Sequence, residues 1–396
     1  MAYRVEFANE AVTLATKRVI MPVMTAGARS SRDVLSIRAL NRATLHRQLL
    51  LERHEMSAVD AVERLVGLQA QVPNVPYLAL WSRLRDFRTD EVAHHLRSRT
   101  FVRAALMRST IHLVSAADGL TLQPLMRPVM VRTFSGTAWG QQVRSDVDAI
   151  VEAGRALLAE RPLSRAQLGN ALKPQWPDHD PAALSAAVTY LLPLVQVTPR
   201  GVWGEAGQAV WSLTQDWLGA GLGAGMTPED VVLRYLAAFG PASVMDIQAW
   251  CGLTRLREVT ERLGSRLRRF VSDEGAELFD LPDAARPDPD TPAPVRFLPE
   301  YDNALLSYAD RRRVIAGTEY VPLLGGPGGY VGTVMVDGFV MAMWAVRRDK
   351  ATAWMEIRPS LPLSARNRDD VTAEGARLLA FVAPSAAHDI AFSSAD

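Results

Sequence analysis

Phe101-Val102-Arg103-Ala104-Ala105-Leu106-Met107-Arg108-Ser109-Thr110-Ile111-His112-Leu113-Val114 is the run whose reading decides the fold. Two apolar, partly β-branched segments flank Arg108-Ser109, which is the signature of a hairpin. Before this run the period is helical. Ser36 caps an amphipathic helix that reaches Gln48, a second helix starts near Ser57, a short third spans about Val75 to Arg85, and a fourth runs from Thr89 to Ser98. Helices followed by a hairpin is the order of a winged helix-turn-helix.

The same order returns twice. Asp146 to Arg161 is a long helix, Ser164 caps Arg165 to Ala171, Pro181 to Leu192 is a third helix, and hairpin strands follow from Leu194 and from Ala209. Thr227 with Pro228 then opens a helix to about Phe239. Ser243 to Cys251 and Thr254 to Gly264 are the next two, and a wing folds around Ser272-Asp273-Glu274-Gly275. Pro282 to Pro294 holds five prolines and reads as a linker. Beyond it the period is mostly two, with strands from Val295, Tyr330, Phe339 and Thr352, an Asp337-Gly338 turn and a closing helix from about Thr372 to Val382. The expected class is α+β: three tandem winged helix-turn-helix units followed by a C-terminal β-barrel-like domain. The expected boundaries are 1–33 for a disordered extension and 34–140 for the helical region with the first unit. They continue with 141–222 and 223–282 for the second and third units, 283–294 for the linker and 295–396 for the barrel-like part.

Composition bounds the partners. The chain has 396 residues, and a hydrophobic fraction of 48% suits folded modules rather than disorder. Its formal net charge of +1 neither demands nor excludes a polyanion. Only three of the 44 basic residues are lysines (Lys17, Lys173 and Lys350), so the cationic chemistry is that of arginine, which forks onto phosphate and base edges. A GC-rich genome gives the same bias. The single Cys251 makes no internal disulfide, fits a reducing cytoplasm, and sits among apolar residues as a small hydrophobe. No apolar run reaches the roughly eighteen residues a membrane span needs.

The chemistry centres on Gly67-Leu68-Gln69-Ala70-Gln71-Val72-Pro73-Asn74. Val59, Val62, Leu65, Val66 and Leu68 continue the helical spacing, and Pro73 forces the chain out of it, so Gln71 is the expected last helical residue. At an unwinding helix end Gln69 and Gln71 can turn toward one point and grip a water or a sugar without adding charge. Capping of carbonyls, or plain solvent exposure, is the competing reading. No metal constellation, nucleophile elbow or Walker loop is present; Gly325 to Gly329 resembles a phosphate loop only in glycine content and, lacking Lys and a following helix, reads as a flexible turn. Glu300 and Asp302 read equally as site acids and as helix caps. Arg255, Arg257, Arg262, Arg266, Arg268 and Arg269 form a basic cluster suited to phosphates, although Glu258 and Glu261 interleave and a solvated face of ion pairs stays open. The hairpin tip Arg347-Arg348-Asp349-Lys350 suits insertion into a groove of negative potential.

Several separated blocks resemble the AlkZ/YcaQ group of bacterial winged-helix DNA glycosylases. They are Ser36 to Leu45, Gly67-Leu68-Gln69-Ala70-Gln71, Arg108 to Ala116, Leu298 to Arg311 and Val336-Asp337-Gly338-Phe339-Val340. The resemblance runs from about Val34 to the C-terminus. It implies excision of bulky alkylated purines, including interstrand crosslinks joined through N7 of guanine. No lysine lies near the motif, which argues against a Schiff-base step, so the expectation is a monofunctional glycosylase for N7- or N3-alkylated purines in double-stranded DNA, with no cofactor or metal. The resemblance places the catalytic Gln-x-Gln pair on Gln69 and Gln71. Relatives of the YcaQ type carry Asp in the second place, so Gln71 puts this chain nearer the AlkZ branch. A monomer in the cytoplasm, associated with the nucleoid and not with a membrane, is the expected setting. The alternative from another class is a non-enzymatic winged-helix regulator that reads an operator with one third helix.

Overall fold

The computed structural model describes residues 33–223, 225–315, 330–349 and 351–393. A two-residue strand β1 (Val34–Leu35) leads into α1 (Ile37–Arg47), whose first turn is closed by the Ser36 hydroxyl accepting from the Ala39 N–H. One element order then recurs three times. The first repeat is α2 (Ala58–Arg64), β2 (Leu68–Gln69), α3 (Val75–Trp81), α4 (Thr89–Arg97) and a hairpin of β3 (Phe101–Ala105) and β4 (Ile111–Ser115). After α5 (Ala116–Ser135) and α6 (Ala138–Gln142) comes the second: α7 (Val147–Glu160), β5 (Leu163–Ser164), α8 (Arg165–Leu172), α9 (Pro181–Leu191), β6 (Leu194–Gln196) and β7 (Val210–Leu213). Past α10 (Thr214–Leu218), the third is α11 (Pro228–Phe239), α12 (Val244–Cys251), α13 (Leu256–Leu263), β8 (Arg268–Ser272) and β9 (Glu277–Asp280).

In each repeat the chain between the first two helices pairs with the second hairpin strand. β2 pairs with β4 and β5 with β7, and an Ala242–Phe279 bridge does the same in the third. The hairpins of the first two repeats are not separate, because β3 pairs with β6 in a single six-stranded sheet of order β2-β4-β3-β6-β7-β5. The third forms its own sheet with β1. Capping boxes at Ser164, Thr227 and Ser243 explain why three of these helices start where they do.

The helix α5 is absent from the sequence reading because it carries Pro124 and Pro128, which remove two helical donors. Burial outweighs that cost: Leu122, Met126, Val129 and Phe134 are buried in the cores of the repeats, so packing overrides propensity.

The C-terminal part also differs from expectation. The strands β10 (Arg296–Pro299), β11 (Tyr330–Val336), β12 (Phe339–Arg348), β13 (Thr352–Pro359) and β14 (Ala387–Phe392) form a sheet in sequential order. Among the described residues it has two free edges, so it is an open sheet and not a closed barrel. α14 (Asn303–Leu306) follows β10, and α15 (Ala365–Val382) crosses over to make the β13–β14 pair parallel. Two fully buried ion pairs hold α1 and the first repeat to the later chain. Arg47 binds Asp280 through two hydrogen bonds of 2.6 and 2.8 Å, and Arg83 binds Asp302 through two of 2.8 Å. Asp302 also caps α14 by accepting from the Ala304 N–H, so its role is structural. No helix of the described residues is long and apolar enough to cross a membrane.

Candidate active site

The helix leading to the Gln pair ends seven residues before Gln71. Leu65 closes α2, Val66 takes φ 56°, and Gly67 takes φ 88°. The Gly67 N–H donates to Val62 O and the Val66 N–H to Glu63 O, the two bonds of a Schellman turn. A β-branched residue in the left-handed region is strained. Gly67 has no alternative, since a Cβ there would stand 2.6 Å from Val114 Cγ1. The expectation that Gln71 ends a helix is therefore corrected: Gln69 lies on strand β2, opposite His112 of β4, and Gln71 lies just past it.

One turn holds both amides. Between β3 and β4, Arg108 and Ser109 adopt φ 55° and 58°. Arg108 Nη2 donates to Gln69 Oε1 at 2.8 Å, and the Ile111 N–H donates to Gln71 Oε1 at 3.1 Å. Guanidinium and peptide N–H are donors only, so they fix which end of each amide is oxygen. The backbone of the motif is pinned as well: the Ala70 N–H donates to Ile111 O, and the buried Arg103 donates to Ala70 O at 2.7 Å. Arg108 Nη1 donates to Trp250 O at the end of α12, which ties the turn to the third repeat.

The electrostatics are cationic. Burial pushes the Arg103 guanidinium down to about 9 and Arg108 to about 10. His112 is fully enclosed; burial first, then the charge of Arg108, lowers its imidazole to about 3, so it is neutral, with Nδ1 against Thr110 O. Gln69 is only 5% exposed, whereas Gln71 faces solvent at the mouth of a cavity of about 300 Å³. That cavity opens between the first two repeats and is also lined by Arg165, Tyr190, Gln196 and Trp211. No cluster of three or more metal-ligating side chains occurs among the described residues.

The other candidates lie elsewhere. Arg347 and Arg348 end β12 and are exposed, and Arg348 donates to Val382 O. Lys350 and the Gly325–Gly329 run lie outside the described residues. Arg255 pairs with Glu258, Arg257 and Arg269 with Glu277, and Arg262 with Glu229, all on exposed faces. Arg266 forms no hydrogen bond or ion pair among the described residues. Glu300 is half-buried, burial raises its carboxyl above the usual range, and its N–H donates to Val331 O of the C-terminal sheet. Cys251 is buried, donates to Ile247 O and has its thiol pushed up to about 11. Sequence reasoning missed Arg103, Arg108, Gln196 and Trp211. Only Arg108 had a signal, as a long cation at a tight turn.

Comparison with known proteins agrees with this architecture. The family described as DNA glycosylase AlkZ-like matches residues 62–381. An interstrand DNA cross-link repair glycosylase of Streptomyces sahachiroi is 26% identical over 328 residues, covering 76% of this chain and 85% of that protein. The structure of the S. sahachiroi DNA glycosylase AlkZ superposes with a TM-score of 0.67 at 20% identity, covering 91% of this chain and all of that one. With four-fifths of its length matched by the family, this chain belongs to the AlkZ-like DNA glycosylases.

Proposed function

We propose that this chain hydrolyses the N-glycosidic bond of N7- or N3-alkylated purines in double-stranded DNA, that it unhooks interstrand crosslinks, and that Gln69 and Gln71 are its catalytic pair. The observation that carries this reading is that one turn, Arg108 to Ile111, pins both amide oxygens. Alkylation at N7 makes the purine a cation, so its glycosidic bond is already weak. What remains is to place a water and to stabilise an oxocarbenium-like sugar, which preorganised dipoles do without a strong acid or base. Each amide oxygen has two lone pairs and uses one on its protein donor, so the other accepts a proton of the water. The NH2 groups remain as donors for substrate oxygens. Gln71 stands in the open, which suits a lesion tethered to the opposite strand that cannot be drawn into a closed pocket. Among the described residues the hydrogen-bond partners of the motif are arginines and backbone groups, with no amine for a Schiff-base step, which supports reading the enzyme as monofunctional.

The three repeats are read as winged-helix units, supported by the recurring strand between first and second helix that pairs with the hairpin. Arg347, Arg348 and Lys350 are assigned to the duplex as one tip, and Arg255, Arg257 and Arg266 as a second set of phosphate contacts. A monomer acting on the nucleoid in the cytoplasm needs nothing more. Incubation of the full chain with a duplex carrying one 7-methylguanine, followed by hot alkali, tests the reading. Strand cleavage that depends on Gln69 and Gln71 is expected, and an intact strand rejects it.

A further inference from the structure

We propose that Asn303 is a positioning residue for the reaction: it holds the outer edge of β2 from the C-terminal part of the chain, and so sets where Gln69 stands. This rests on the assignment of Gln69 and Gln71 as the catalytic pair. β2 is two residues long and is an edge strand of the six-stranded sheet, paired on the β4 side alone. Backbone groups alternate in direction along an antiparallel ladder. The Ala70 N–H donates to Ile111 O, so the Leu68 N–H also faces β4. The carbonyl of the same peptide, Gly67 C=O, points the opposite way. Asn303 meets it there. Its Nδ2 donates to Gly67 O at 2.7 Å, and no backbone N–H does so among the described residues. Asn303 is 5% exposed, so water is largely kept from the bond.

The start of β2 has little else to fix it. Val66 and Gly67 lead into it at φ 56° and 88°, and a valine takes that conformation at a cost. Such strain persists only where neighbours over-determine the backbone. The segment that presents Asn303 is itself pinned at each step. The Trp344 indole N–H donates to Leu298 O at 3.0 Å, and the Glu300 N–H donates to Val331 O. Tyr301 takes φ 60°, a second strained residue. Asp302 is gripped by Arg83, which also donates to Gln48 O and Ala79 O, both at 2.9 Å. Further on, the Tyr235 hydroxyl donates to Ser307 O at 2.7 Å. Asn303 is thus a rigid post against a short edge strand.

The consequence falls on Gln69. Leu68 and Gln69 follow directly from the Gly67 carbonyl, and the Gln69 oxygen has to meet Arg108 Nη2 with its other lone pair aimed at a water. Rotation of the Gly67–Leu68 peptide carries that amide away from both. A misplacement of about 1 Å costs up to about a hundredfold in rate. Gln71 is held separately, since Arg103 and Ile111 fix the chain at Ala70 and the Ile111 N–H holds its oxygen.

The test uses the full chain and a duplex with one 7-methylguanine in single turnover, which yields the limiting rate and the half-saturating enzyme concentration separately. Asn303→Ala removes the donor. Asn303→Asp keeps the size and sets an acceptor against the carbonyl. Each is expected to lower the limiting rate about tenfold to a hundredfold, with half-saturation unchanged because phosphate contacts supply affinity. The decisive comparison is made in Gln69→Ala. A residue that works by placing Gln69 has nothing left to place there, so adding Asn303→Ala should slow that variant by less than about twofold. The full loss repeated in that background overturns the proposal, because a general support of the fold acts whether or not Gln69 is present. A parental limiting rate in either Asn303 variant overturns it as well, and so does failure of both to fold in denaturant unfolding. A parental rate in Gln69→Ala, or no release by the parent, sinks the catalytic assignment and this proposal with it.

Discussion

Replacing the two glutamines one at a time separates their structural and chemical roles, because the structure predicts unequal costs to stability and similar costs to catalysis. Gln71 is exposed, and in Gln71→Ala water takes over as acceptor for the Ile111 N–H, so stability should change by less than about 0.5 kcal/mol. Gln69 is nearly enclosed and accepts from the charged Arg108. Removing its oxygen leaves part of a desolvated cation unmet, which costs about 1–3 kcal/mol. The Trp250 carbonyl still holds the other arm of Arg108, so the lower part of that range is expected. Losing one preorganised dipole from the site costs about 2.7–4 kcal/mol of barrier, roughly a hundred- to thousandfold in rate. Single-turnover excision of 7-methylguanine, read by alkali cleavage alongside denaturant unfolding, measures both quantities. Two groups that hold one water act as a unit, so the double variant should be little slower than the poorer single. Gln71→Asp should retain more activity than Gln71→Ala, because a carboxylate also orients water and favours positive charge on the sugar. Duplex binding should stay within a few-fold throughout, since phosphate contacts supply affinity. If both alanine variants release the base at the parental rate, the assignment of this pair is wrong.

Three further outcomes follow from the geometry. Replacing Arg347, Arg348 and Lys350 together with alanine should weaken binding to any duplex and flatten its salt dependence by up to about three units of slope, and an unchanged slope would leave that tip in solvent. Burial lowers the imidazoles of His112, to about 3, and of His46 and His54, so the folded chain binds fewer protons than the unfolded one below the ordinary histidine range. The stability these neutral rings confer is complete above about pH 6.5 and is lost as pH falls toward 3; unfolding of His112→Gln against the parent between pH 7 and pH 4 should show a shallower loss in the variant. Cys251 should resist thiol reagents at pH 8 in the folded chain and react on unfolding, because burial holds its thiol near 11; rapid labelling of the native chain would contradict its placement.

Local chemistry made much of the fold legible, and long-range pairing explains most of what was not. Ser36, Ser164, Thr227 and Ser243 each accept from a first-turn N–H, and each was readable as a cap. The end of α2 was misread because Val66 and Leu68 fit the helical period, while Val66 sits in a conformation that valine rarely adopts. Its signal was Gly67, one residue further on. Gln69 and Gln71 were singled out on an expected helix end, and the structure places them instead on a strand and its exit, each held by a turn about forty residues later. The merging of two hairpins through β3 and β6 depends on two paired positions, Arg103 with Gln196 and Ala104 with Val195, and neither segment carries a mark of its partner. The same register brings Gln196 to the cavity. The parallel β14 could not be foreseen, since the crossover through α15 selects its neighbour.

The treatment of charge supports placing the chemistry at this site. Elsewhere buried arginines are matched: Arg47 faces Asp280, Arg83 faces Asp302 and Arg42 faces Asp337. The buried Arg103, the half-buried Arg108 and the exposed Arg165 have no carboxylate partner among the described residues, and desolvation lowers the affinity of all three for their proton. An unmatched buried charge costs several kcal/mol, which a fold sustains where something else supplies the counter-charge. All three surround one place: Arg103 holds the Ala70 carbonyl, Arg108 holds Gln69, and Arg165 walls the cavity beside Gln71. On the proposed assignment, their field would draw in a phosphodiester, and the phosphates flanking a damaged nucleotide would arrive with it. The sugar that gains positive charge as the base departs is then bracketed by its own phosphates. Neutral amides can serve there because the substrate brings the anions that the protein leaves out.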